Sequence, residues 1–255
     1  MRRFTLVFMA VVAAFALAAC GRRGALIYPD LLVPAAPSSV AVGQSGAGLR
    51  LQFTLPKQDR AGRKLMDMTG VIISKRASDP GGFQCPACDS DFKPFATLYL
   101  DALPQGVLRS GDRLLVMDGD VSSGKSYAYR IVPVTKDGRE GVSSTSTGLT
   151  VVSPLPPPAV SAESLPTEIR ILFSSPPVPG GNPVGYNLYR VQGEGIFPLV
   201  PLNREPLPDV TYNDSALERK TAYRYQARSV VRLDTGVVLE SLPSAEVRGM
   251  LKDDE

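Results

Sequence analysis

Apolar and polar residues alternate without a miss through Leu49-Arg50-Leu51-Gln52-Phe53-Thr54-Leu55, and a second copy of the run occurs at Ile169-Arg170-Ile171-Leu172-Phe173-Ser174. A period of two gives one buried and one wet face, which predicts a strand of an antiparallel sheet in each place. Proline follows at the same offset in both copies, as Pro56 after Phe53 and Pro176 after Phe173. Further strand-like runs follow at Gly70-Val71-Ile72-Ile73 and Gly185-Tyr186-Asn187-Leu188. A third match is the most specific. Val121 precedes Tyr127 by six positions and Tyr129 follows, just as Leu217 precedes Tyr223 and Tyr225 follows. Asp137-Gly138 and Asp234-Thr235-Gly236 then signal turns ahead of a last strand. Three motifs repeated in one order predict two related β units.

These residues resemble the fibronectin type III family, a seven-strand β-sandwich. The resemblance implies an all-β fold of two tandem antiparallel β-sandwiches of fibronectin type III or immunoglobulin-like form. Phe53 and Phe173 stand where the family usually has a tryptophan, and Tyr127 and Tyr223 match its tyrosine corner, whose hydroxyl bonds back to nearby backbone. The expected organisation is a first domain over 37–153, a linker over 154–158, a second domain over 159–250 and a solvated tail over 251–255. The linker Pro154-Leu155-Pro156-Pro157-Pro158 favours extended polyproline geometry, so the sandwiches are expected end to end with restricted bending.

A different pattern opens the chain. Met1-Arg2-Arg3 leads into an apolar stretch from Phe4 to Ala19 that ends Leu17-Ala18-Ala19-Cys20. A basic start, an apolar run and small residues at its end predict a signal peptide over 1–19, too short for a comfortable membrane span. The Leu-Ala-Ala-Cys end is similar to the lipobox of bacterial lipoproteins, which implies that Cys20 becomes the first mature residue and carries acyl chains, palmitate among them. Two or more chains anchor a protein stably where one holds it only marginally. Residues 20–36, with prolines at 29 and 34 and no strand period, are expected to form a lipidated stalk. Gly21, where aspartate would stand in lipoproteins kept at the inner membrane, implies the outer membrane facing the periplasm. Cys20, Gly21, Gly24, Leu26, Tyr28 and Pro29 also resemble, in register, the start of short lipoproteins of lipopolysaccharide assembly. That likeness implies contact with an outer-membrane translocon; the plainer reading is a tether keeping Arg22 and Arg23 near anionic headgroups.

Composition narrows the chemistry. Histidine is absent, which excludes a Ser-His-Asp or Cys-His arrangement and any histidine-ligated zinc within the chain. Removing Arg2 and Arg3 from 28 basic side chains, against 25 acidic ones, leaves a nearly neutral mature part that argues against a nucleic-acid partner. Glycine and proline, 23 each, suit short strands joined by turns.

Gly70 precedes Tyr127 by 57 positions and Gly185 precedes Tyr223 by 38, so the first unit carries about 19 extra residues. They include Cys85-Pro86-Ala87-Cys88, for which three readings stand. A disulfide suits an oxidising compartment and would stiffen the loop. A redox pair would need a thiolate, which neighbouring Asp89 and Asp91 disfavour. A structural zinc would need ligands from carboxylates or another chain. Asp118-Gly119-Asp120 and Asp89-Ser90-Asp91 read as turn residues and not as calcium loops.

The function expected from these features is a lipid-anchored envelope binding or structural module, not an enzyme, with no catalytic, cofactor or metal site. Its partners would be the membrane, through Cys20, and an envelope protein or glycan held by loops or an exposed sheet edge. The alternatives are an accessory lipoprotein of outer-membrane assembly and an envelope thiol-disulfide protein using Cys85 and Cys88.

Overall fold

The structure is a computed structural model that describes residues 28–80 and 91–253. Strands dominate it. The first unit contains β1 (Ser38–Ser45), β2 (Gly48–Thr54), β3 (Met68–Ser78), β4 (Lys93–Tyr99), β5 (Val107–Ser110), β6 (Arg113–Asp118), β7 (Ser126–Thr135), β8 (Ser144–Thr145) and β9 (Leu149–Thr150). The second contains β10 (Ala159–Ser164), β11 (Ile169–Ser174), β12 (Gly181–Gln192), β13 (Thr211–Asp214), β14 (Tyr223–Leu233), β15 (Val238–Glu240) and β16 (Val247–Gly249). The period-two runs are β2 and β11.

In the first sandwich β1-β2-β6-β5 faces β4-β3-β7, with β8 and β9 both on β7. In the second, β10-β11-β13 faces β12-β14, with β15 and β16 both on β14. Alternate residues of each inner face fill the core, as two-layer β packing demands. Leu49, Leu51 and Phe53 of β2 meet Val71 and Ile73 of β3, Leu114 and Val116 of β6, and Tyr129 and Ile131 of β7. Ile169, Ile171 and Phe173 meet Leu188, Tyr223, Tyr225 and Ala227 in the same way. Phe53 and Phe173 are 1% and 4% exposed, so phenylalanine fills the central place in both layers. Burying such a side chain contributes about 1.5–3 kcal/mol.

The paired glycines have one cause. A Cβ on Gly70 would lie 2.5 Å from the Leu98 carbonyl oxygen, and one on Gly185 would lie 2.3 Å from that of Leu207. In each sandwich a neighbouring segment crosses the start of the same strand too closely for any side chain.

The two sandwiches share a sheet. The order β12-β14-β15-β1-β2-β6-β5 runs from one into the other, through a parallel pairing of β1 with β15 at Ser45 and Glu240. The joint is therefore a staggered edge-to-edge overlap, whereas the proline run had suggested modules stacked on a spacer. The linker is itself held, since Leu242 N–H donates to the Leu155 carbonyl at 3.0 Å.

The poles of the first sandwich differ. The β1–β2 turn and the end of β6 lie at the pole that meets the second sandwich, since Ser45 pairs with Gly48 and Leu49 with Asp118. The β2–β3 loop, the β5–β6 turn and the end of β4 lie at the other, where Thr54 pairs with Arg113 and Gly70 with Tyr99. The incoming segment is docked at this outer pole. After a 3-10 turn over Pro29–Leu31, Arg60 N–H donates to Val33 and Ala61 N–H to Leu31, while Ala35 N–H donates to Gln58. Residues 31–35, expected as part of a stalk, are pinned along the β2–β3 loop.

Candidate functional site: the joint between the sandwiches

Each sandwich carries one buried polar cluster. In the first, Tyr127 accepts the Ser122 N–H at 2.9 Å; in the second, Tyr223 accepts the Glu218 N–H at 2.9 Å, five residues upstream in both. Two strand positions on, Tyr129 donates to Asp118 at 2.6 Å and Tyr225 to Asp214 at 2.9 Å. A cation from the third long strand completes each cluster, Lys75 at 3.0 Å from Asp118 and Arg190 at 2.8 Å from Asp214. Lys75 also sits 5.1 Å over the Phe95 ring, and Arg190 5.4 Å over that of Tyr223. Burial, and then the adjacent carboxylate, pushes the Tyr129 and Tyr225 hydroxyls far above their ordinary range. Asp118, which its Asp-Gly-Asp context marked as a turn residue, ends β6 and is a buried acceptor. These clusters recur in both copies, so they belong to the fold.

The joint is not repeated. Glu240, 5% exposed, lies where the two sheets meet. Ser45 donates to its Oε2 at 2.5 Å from the first sandwich. Asn187 and Tyr189 of β12 donate to Oε1, the latter at 3.3 Å, and the Arg50 guanidinium stands 3.7 Å away. A buried carboxylate with donors on both oxygens and a cation beside it meets the conditions under which such a charge is tolerated. Burial, and then the charge of Glu240, pushes the Tyr189 hydroxyl upward, so that tyrosine stays a donor.

Around this centre the backbone is locked. Gln44 ties down the segment that leads into the linker, donating to Val152 O at 2.8 Å and accepting from Val152 N at 3.0 Å. Gly46 N–H donates to Glu240 O at 3.0 Å, and Arg228 donates to Ser241 O at 2.8 Å. Gly46 has φ +60°, and a Cβ there would meet the Arg228 guanidinium at 2.6 Å.

Two concavities lie in or beside this region. Val200 reaches from the second sandwich to the outer face of the first and lines, with Gln52, Leu108 and Leu115, a groove of about 340 Å³. A more apolar cavity of about 550 Å³ lies within the second sandwich between Pro177, Val178, Tyr186 and Val210. Ser175 lines it, and its hydroxyl is buried without a hydrogen-bond partner.

Of the residues predicted as sites, Tyr127 and Tyr223 occupy matching corners, whereas Cys20, Cys85 and Cys88 lie outside the described residues. Among the described residues, no group of three or more histidine, cysteine, aspartate or glutamate side chains is placed to hold a metal. Sequence reasoning missed Lys75, Asp118, Arg190 and Asp214, although an aspartate nine positions before each corner tyrosine was there to be read. It also missed Glu240, for which the sequence carries no comparable signal.

No family model matches the chain, and no curated protein matches it. Among solved structures it is similar to the crystal structure of chicken CNTN1 FN1–FN3 domains, at 14% identity and a TM-score of 0.34, over 85% of this chain and 67% of that one. The all-β assignment rests on the strand pairings above.

Proposed function

We propose that this chain is a lipid-anchored, non-enzymatic envelope protein whose two sandwiches act as one rigid binding or structural module for an envelope protein or glycan. The observation that carries the reading is the sheet continued across the joint and sealed around Glu240. A hinge between modules suits closure on a substrate; a locked seam suits holding a partner at a fixed height and angle. The Leu17-Ala18-Ala19-Cys20 end and the basic, apolar leader support the anchor. The groove across the joint and the apolar cavity in the second sandwich supply concave surface for a partner.

The test has two arms. Fatty-acid labelling and membrane fractionation of the native protein against Cys20→Ser should show label and membrane retention lost together. Photocrosslinkers at Leu108 and Val210 should then give a discrete adduct with one envelope component. An unlabelled, soluble product or a smear of adducts would count against the proposal. Reduction of a disulfide substrate that depends on Cys85 and Cys88 would transfer the case to the thiol reading.

A further inference from the structure

The outer pole of the first sandwich exposes what a buried joint would hide. Met66 is 79% exposed, Tyr28 69% and Tyr99 60%. Met66 also rims a groove of about 830 Å³ whose apolar wall is Leu65, Met68 and Leu100 and whose edge carries Lys57, Lys64 and Arg109. Two acids share that edge, and Lys57 is held by one of them, Asp112, at 2.7 Å. The surface is thus amphipathic with a small positive excess. Tyrosine and other amphipathic rings favour the headgroup level of a bilayer, and lysine and arginine stems reach past apolar surface to anionic heads.

Chain length says what lies against it. Tyr28 lies only eight positions beyond Cys20. Fully extended, that stretch spans at most about 29 Å. Strand β3, with 11 residues, is itself about 36 Å long. The docking of residues 31–35 on the β2–β3 loop adds no reach. An acylated Cys20 therefore keeps the outer pole beside the bilayer, and the sandwich cannot invert. So short a tether gives the pole an effective concentration at the surface of about millimolar or more, so weak contacts suffice to fix orientation.

We infer that the outer pole, through Tyr28, Met66 and the cationic edge at Lys64 and Arg109, rests on the anionic bilayer surface and sets the angle at which the rigid pair stands. The inference depends on the lipid anchor proposed above. With so small a net charge, apolar contact carries most of it, and salt should weaken it only modestly.

The chain contains no tryptophan, so a single substitution makes a site-specific reporter. Full-length lipoprotein carrying Met66→Trp, Tyr28→Trp or, on the second sandwich, Ile196→Trp (76% exposed) is reconstituted into phosphatidylethanolamine–phosphatidylglycerol vesicles containing a headgroup-level nitroxide quencher. Acylation is first verified by intact mass. Quenching at positions 66 and 28 is expected to exceed that at 196 by about threefold, with a blue-shifted emission, as headgroup-level placement of a ring requires. Acylated protein in which all three positions quench alike overturns the inference and leaves the anchor standing. Protein without acyl chains overturns both.

Discussion

Replacing Glu240 tests whether the two sandwiches are one mechanical unit. Glu240→Ala orphans three donors, the Ser45 and Tyr189 hydroxyls and the Asn187 amide, and leaves Arg50 without its carboxylate. Removing one side of a buried charged network costs about 3–5 kcal/mol. The lower end applies here, because Arg50 is 28% exposed and can turn to water. Glu240→Gln keeps one acceptor for Asn187 and Tyr189, and Ser45 can rotate to accept, so about 1–2 kcal/mol is expected. Ser45→Ala removes one contact across the joint and leaves the Arg50 guanidinium and the Gly46 N–H against Glu240 in place. Urea unfolding read by hydrogen exchange separates the two halves, with peptides from β2 and β11 as reporters. Wild type should lose both in one transition. Glu240→Ala should split them, and Ser45→Ala should narrow the coupling without touching the contacts inside the second sandwich. If Glu240→Ala stays within about 1 kcal/mol of wild type, below the range for a broken buried charge network, the joint does not couple the units.

Three other outcomes follow from the same geometry. Tyr127→Phe and Tyr223→Phe each strand a backbone N–H, at Ser122 and Glu218, and chemical denaturation should register a loss of about 1–3 kcal/mol in either sandwich. Unfolded tyrosine titrates near pH 10, whereas burial and an adjacent carboxylate hold the protons on Tyr129, Tyr189 and Tyr225 well above that, so their contribution is complete below pH ~10 and is lost as the pH rises further. Ultraviolet titration should leave these three tyrosines un-ionised until the fold opens; their reversible ionisation near pH 10 would contradict the clusters. Gly70→Ala and Gly185→Ala drive a methyl against backbone oxygen, and each should lower the melting temperature more than Gly43→Ala, where nothing lies within 4 Å.

The parts of this fold that were legible beforehand are those set by local periodicity. Alternation over residues 49–55 declared a half-buried strand because only one face of β2 is buried. The tyrosine spacing was legible because a corner bond spans five residues, within reach of a motif. Lys75 and Arg190 were hidden because a cation on a strand reads as solvent-facing; only the fold brings each to an aspartate, 43 positions away in one copy and 24 in the other. The docking of residues 31–35 gave no periodic signal, since its hydrogen bonds go to an irregular loop and not to a ladder.

The joint was hidden for a deeper reason. Repeats expose what both copies need, so matching them recovers Tyr127 with Tyr223 and Gly70 with Gly185, while anything that breaks the symmetry drops out of the comparison. A contact between the copies must break it. The first copy offers its β1–β2 turn at Ser45 and Gly46, and the second offers the end of β15 at Glu240. In the second copy the matching β10–β11 turn is spent elsewhere, with Leu165 accepting from Lys252 N–H and Ser164 from Met250 N–H. The same turn thus serves opposite ends of one design: in the first sandwich it receives the next module, and in the second it binds the chain's own return. The residues that decide how the two modules work together are therefore those a search for likeness passes over, and mutagenesis guided by the repeat alone would test the fold and miss the joint.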